Sequence, residues 1–121
     1  MNQPSVYSRE GIVDAALDVI REQGWSAAST RAIAKKLGSS TMPIYSHLHS
    51  RDELEKETRR AARDLLQEHQ LRSYTGEPLL DLAFGYVAFA RDERNLFRFL
   101  FLEASGQEDG LEQASHLFEA Q

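Results

Sequence analysis

The chain has no cysteine, three prolines and one tryptophan in 121 residues. The missing cysteine excludes disulfides, thiolate nucleophiles and cysteine-ligated metal. No apolar run approaches the ~20 residues that cross a bilayer. The longest, Leu79 to Ala90, is too short and contains Asp81. Residues 1–7 read as a disordered arm punctuated by Pro4, not as a secretory leader, and cytoplasm is the expected compartment. There is no Gly-rich phosphate loop and no Ser-His-Asp arrangement. His47 and His49 flank Leu48 without a third ligand nearby, while His69 and His116 stand alone. An enzyme is therefore not expected, nor a metal or other cofactor. Many carboxylates lie four residues from basic groups, as Glu55 does from Arg59, the pattern of solvated helix pairs.

What is present is an ordinary globular composition, 41% apolar and 27% charged, enough for one compact domain or two small helical ones sharing a core. The net charge of −5 is unevenly spread: residues 1–30 sum to −2, residues 31–63 to +4, and residues 64–121 to −7. A polyanion responds to the local field of a patch, so the positive middle segment outweighs the chain total.

That segment contains the most informative motif, STRAIAKKLGSSTMPIYSHLHSRDEL at residues 29–54. Ile33, Ala34 and Leu37 make one helical stripe and Ile44, Tyr45 and Leu48 another. Gly38 lies just past the first, where a left-handed residue often ends a helix. Ser40 or Thr41 can cap the second helix, making Pro43 its third or second residue. In either position the missing N–H has no intrahelical partner to lose. Two helices joined by a tight glycine turn form the unit that lays its second helix in the major groove.

With these residues in view, the chain resembles the TetR family of transcriptional regulators from about Ser8 to Leu66. The resemblance rests on the Ile-Ala step at 33–34, Gly38, the hydrophobic-Tyr-x-His-hydrophobic run at 44–48 and the basic-acidic-x-Leu run at 51–54. The expected fold is all-α: a three-helix helix-turn-helix DNA-binding domain (residues 1–50), joined by a long fourth helix to a partial helical effector-binding and dimerisation domain (residues 51–121). Relatives in this family continue with two further long helices, whereas this chain stops inside what reads as a helix. A fragment and a naturally short relative both fit that ending.

The remaining pattern agrees with this plan. Ser8 caps a helix from Arg9 to Gln23 with the stripe Ile12, Val13, Ala16, Leu17 and Ile20; Gly24 stops it and Trp25 packs over its end. Ser29 or Thr30 caps the next helix. Ser50 and Glu53 form an S-x-x-E capping box for a long helix reaching about His69. A loop covers Arg72 to Gly76, and Glu77-Pro78 starts a helix whose residues from Leu79 to Ala90 are apolar nearly all round, which predicts burial on most sides. Asp92 to Asn95 interrupts. LFRFLFL at 96–102 reads as helix because no second strand exists for it to pair with. Ser105 to Gly110 reads as a loop, and Leu111 to Ala120 as a short helix with Leu111, Ala114, Leu117 and Phe118 on one face.

Contacts with DNA divide into phosphate contacts, which position, and base-edge contacts, which specify. Carried over by resemblance, Tyr45 and His47 contact the backbone. Ser29, Thr30 and Arg31 open the second helix, where N–H groups favour a phosphate, and Arg51 is another phosphate candidate. Ser40 stands beside the first turn, from which Thr41, Met42, Pro43 and Ser46 face the bases. No Arg, Asn or Gln lies between 39 and 48, so bidentate base readout is absent and specificity should be modest, weighted to DNA shape and thymine methyls. The resemblance further implies a small apolar effector, with Phe84, Tyr86, Phe89, Phe97 and Phe101 as pocket candidates, although the same residues serve equally as core. The expected function is a ligand-responsive repressor acting as a homodimer on operator DNA. A protein-interaction module of the same fold that has lost operator binding is the alternative.

Overall fold

The computed structural model describes residues 8–103, apart from the side chain of Met42. The arm at 1–7, the loop Ser105 to Gly110 and the helix Leu111 to Ala120 lie outside the described residues. Within them are six α-helices and no strand: α1 (Arg9–Gln23), α2 (Thr30–Leu37), α3 (Met42–His47), α4 (Arg51–Gln70), α5 (Pro78–Asp92) and α6 (Arg94–Arg98). A short 3-10 turn, Trp25–Ala27, lies between α1 and α2, and α6 widens into a π-helical turn at Phe99–Glu103. The all-α expectation holds. None of these helices is long and apolar enough to cross a membrane.

Serine side chains start three of the helices. Ser8 Oγ accepts from the Gly11 N–H at 3.1 Å, Ser29 Oγ from Ala32 at 3.0 Å, and Ser50 Oγ from Glu53 at 3.1 Å. Each such cap is worth ~1 kcal/mol because it satisfies a donor the helix leaves unpaired. The capping box at α4 is only half as expected. The Glu53 carboxylate accepts from the His49 N–H (3.3 Å), one residue before the cap, and the same oxygen accepts from Arg9 at 3.3 Å. Thr41 stands at the cap position of α3, which makes Pro43 the second helical residue, but its hydroxyl makes no capping bond.

The core is one continuous cluster with α1 at its centre. Ile12, Val13, Ala16, Leu17 and Ile20 meet Ile33 and Ala34 of α2, Ile44 of α3, Leu54 and Ala62 of α4, Phe89 of α5 and Leu96 of α6. Full burial of each large side chain stabilises by ~1.5–3 kcal/mol. Half-buried Trp25 packs its ring 4.8 Å from that of Phe99, at the end of the α1 stripe where it was expected.

Four details differ from the sequence reading. α5 is not buried on most sides: Leu79 is 76% exposed and Val87 63%, with Leu80, Leu82, Phe84 and Tyr86 also exposed. Among the described residues, its Gly85, Ala88 and Phe89 are buried while the outer apolar face carries no cover. Glu55 and Arg59 are not a solvated pair but a buried one, 3.1 Å apart, with Arg59 Nη1 donating to the carbonyl of Phe99 at 3.1 Å. The break after α5 is confined to Glu93, since α6 already begins at Arg94. α3 ends at His47, and Leu48 turns extended with its side chain buried.

Candidate nucleic-acid interface

The turn between α2 and α3 follows from one residue. Gly38 adopts φ 73° and ψ 33°, the left-handed conformation that costs an L side chain strain. Its N–H donates to the Lys35 carbonyl (3.1 Å) while the Ser39 N–H reaches back to Ala34 (2.9 Å). This paired closure stops α2 cleanly and redirects the chain. Four residues after Gly38 α3 begins, anchored on the inside by Ile44 and followed by buried Leu48. Its other side faces solvent: Tyr45 is 53% exposed, and Ser46 and His47 are exposed with it.

The candidate residues form two adjacent groups. Ser40, Thr41, Met42, Pro43, Tyr45, Ser46 and His47 lie along one short segment, with Ser40 exposed and Thr41 and Pro43 partly so. Ser29, Thr30 and Arg31 open α2; Ser29 spends its hydroxyl on the cap, while Arg31 is exposed. Arg51 stands apart in its bonding. Its Nη1 donates to the Ala28 carbonyl at 2.6 Å and its guanidinium lies 4.4 Å from the Trp25 ring centre. It therefore fastens the start of α4 to the α1–α2 connection, leaving its remaining donors at the surface.

Electrostatics here come from the flanks, since His47 is the only titratable side chain besides Tyr45 between 39 and 48. Lys36 is hydrogen-bonded to Glu22, which holds its pKa above the ordinary lysine value. Arg31 and Lys35 remain as exposed cations on α2. Residues 29–48 thus combine an apolar, hydroxyl-bearing helix with positive charge beside it, suited to a phosphate-lined groove.

A cluster missed by the sequence reading joins α1, α3 and α4. Arg9 Nη1 donates to the His47 carbonyl at 2.9 Å and to Glu53 at 3.3 Å, and Nη2 donates to Glu57 at 2.8 Å. The hydrogen bond from Arg9 holds the Glu57 carboxyl below its ordinary range. The only trace of this in the sequence is the pair of glutamates one turn apart on α4.

The five effector candidates do not gather around one cavity. Tyr86, Phe97 and Phe101 meet, with ring centres 4.9–5.8 Å apart. Phe84 instead stacks on Tyr74 at 6.2 Å, and Phe89 is core, edge-on to His69 at 5.4 Å. An open groove of about 500 Å³ lies at the α4–α5 loop, lined by Gln70, Arg72, Pro78, Leu79 and Asp81 among others, and none of the five lines it.

Comparison with known proteins agrees with this geometry. Residues 12–58 match the family model for bacterial regulatory proteins of the tetR family. Over 57 residues the chain is 33% identical to an uncharacterized HTH-type transcriptional regulator of Mycobacterium tuberculosis, an alignment covering 47% of this chain and 26% of that relative. The chain thus spans about a quarter of that relative's length. No solved structure matches it significantly. The matched stretch, from α1 through the Gly38 turn into α4, is similar to the N-terminal DNA-binding domain of the tetR family of bacterial regulatory proteins.

Proposed function

We propose that the chain is a sequence-specific DNA-binding transcriptional regulator, a ligand-responsive repressor acting as a homodimer on a palindromic operator. Residues 1–50 are the reading unit and residues 51–121 the regulatory region. The observation that carries this reading is the two-sidedness of α3: Ile44 and Leu48 are sealed in the core while Tyr45, Ser46 and His47 stand in solvent. A helix held from behind with its front exposed can enter a major groove, and the match of residues 12–58 to the tetR family model supports the same use. Thr41, Pro43 and Ser46 meet base edges with Met42, and Tyr45, His47, Ser29, Thr30 and Arg31 meet the backbone. A small apolar effector among α5 and α6 tilts α4 and changes the spacing of two reading helices, which a palindrome sets at roughly 34–36 Å.

Selection from random duplex DNA tests this directly. The chain should enrich an inverted repeat whose half-site centres lie one helical turn apart, with affinity falling steeply as salt rises. Failure to enrich any sequence, together with salt-independent binding, would overturn it. The second reading, a protein-interaction module, draws on the exposed apolar face of α5 and on the absence of Arg, Asn and Gln between 39 and 48. It predicts no salt-dependent affinity for any duplex.

A further inference from the structure

We propose that Arg9 is a positioning residue for α3, setting the angle at which that helix is presented to DNA. The inference rests on the DNA reading above and adds a residue outside the helix-turn-helix segment.

At six residues, α3 is far below the length at which a helix holds itself together in water. Its direction must be imposed by neighbours. Ile44 and Leu48 fix its depth in the core, but two apolar contacts on one side leave rotation about them open. The Arg9 guanidinium removes that freedom. Nη1 holds the carbonyl of His47, the last residue of α3, at 2.9 Å, and the same fork reaches Glu53 (3.3 Å) and Glu57 (2.8 Å) on α4. A cation at the carbonyl end of a helix is favoured by the partial negative charge there. The Glu53 carboxylate also takes the His49 N–H at 3.3 Å, so the residues after α3 are pinned by the same group. One planar fork thereby joins the first residue of α1, the end of α3 and the first two turns of α4. Lysine, a point charge without that fork, cannot reproduce it.

The rival role for Arg9 is direct phosphate contact. The two roles predict opposite signs for Glu57→Gln. If Arg9 touched phosphate, removing a nearby carboxylate would free the guanidinium, reduce repulsion and tighten DNA binding. If Arg9 positions α3, removing its anchor weakens binding.

The test uses the full chain and a duplex selected by the wild type from random DNA. Arg9→Gln, Arg9→Lys and Glu57→Gln should each bind that duplex about tenfold more weakly, comparable to losing one base contact. In the free protein, amide NMR shifts should move over Met42 to His49 and stay fixed in α1 beyond its first turn. Equal or tighter binding by Glu57→Gln, or unmoved α3 amides in Arg9→Gln, overturns the proposal. A wild type that enriches no duplex, while Arg9→Gln still shifts the α3 amides, overturns the DNA reading and leaves Arg9 as the residue that orients α3.

Discussion

Gly85 of α5 crosses Gln70 of α4 so closely that a Cβ on Gly85 would lie 2.3 Å from the Gln70 Cα and 2.5 Å from the His69 carbonyl oxygen. Both obstacles are backbone and cannot rotate away. Gly85→Ala must push the two helices apart and should cost about 1–3 kcal/mol, as overpacking of a tight interior does. Chemical denaturation measures this, and an unchanged midpoint would show that the crossing is not tight in solution.

Gly38 presents the opposite case. A Cβ there would meet nothing within 4 Å, so Gly38→Ala tests backbone conformation alone. With φ at 73°, alanine should cost about 1–2 kcal/mol. The loss should appear in thermal melting and should be smaller for Gly38→Asn, which tolerates the left-handed region better. Equal stability of the alanine variant would mean the turn takes another shape.

Buried Arg59 bonds to Glu55 and to the carbonyls of Phe99 and Leu100 in the π-helical turn, with its guanidinium 4.6 Å from the Phe99 ring centre. Arg59→Ala removes the guanidinium from the buried Glu55 carboxylate and from two backbone carbonyls and should destabilise by about 3–5 kcal/mol. Arg59→Ala combined with Glu55→Ala should be milder than the single change. A double-mutant cycle on denaturation midpoints decides it; additive losses would sink the coupling.

The α4–α5 loop is organised by Asp81. Desolvation pushes its carboxyl up, but the Thr75 hydroxyl and the N–H groups of Thr75, Tyr74 and Gly76 together pull it below its ordinary value of 3.8. A carboxyl depressed in the folded state adds stability that is complete above pH 3.8 and is lost as pH falls through its lower folded value. Asp92 is lowered too and shares that window, while Glu57 is lowered from 4.5 and begins to lose its contribution at slightly higher pH. Asp81→Asn should therefore lower the melting temperature at neutral pH and flatten, without abolishing, its fall as pH drops below about 4. An identical acid profile in the variant would contradict this account of the loop.

Legibility in the sequence followed the range of the interaction. Ser8, Ser29 and Ser50 act on N–H groups three residues away, and Gly38 acts on its own backbone, so these helix boundaries could be read directly. The buried side of α3 was equally plain from Ile44 and Leu48. Burial of a pair was not: Glu55 and Arg59 look like any surface partners until Phe99, forty residues on, closes over them. The apolar density of α5 reports a preference for burial, whereas exposure of Leu79 and Val87 depends on what packs against them. The Arg9 cluster joins acceptors 38, 44 and 48 residues away, and no local pattern announces it. Close crossing at Gly85 was likewise invisible, because a glycine within a helical pattern only hints that another backbone is near.

The most direct test of α3 as the reading element is a titration of the selected duplex, followed by anisotropy at several salt concentrations, with wild type and Thr41→Ala/Tyr45→Ala. The wild type should bind in a salt-dependent manner. The double variant should lose at least about tenfold affinity for the selected duplex and less on random DNA, where only the Tyr45 backbone contact is missing. Unchanged affinity in the double variant would contradict the assignment of α3.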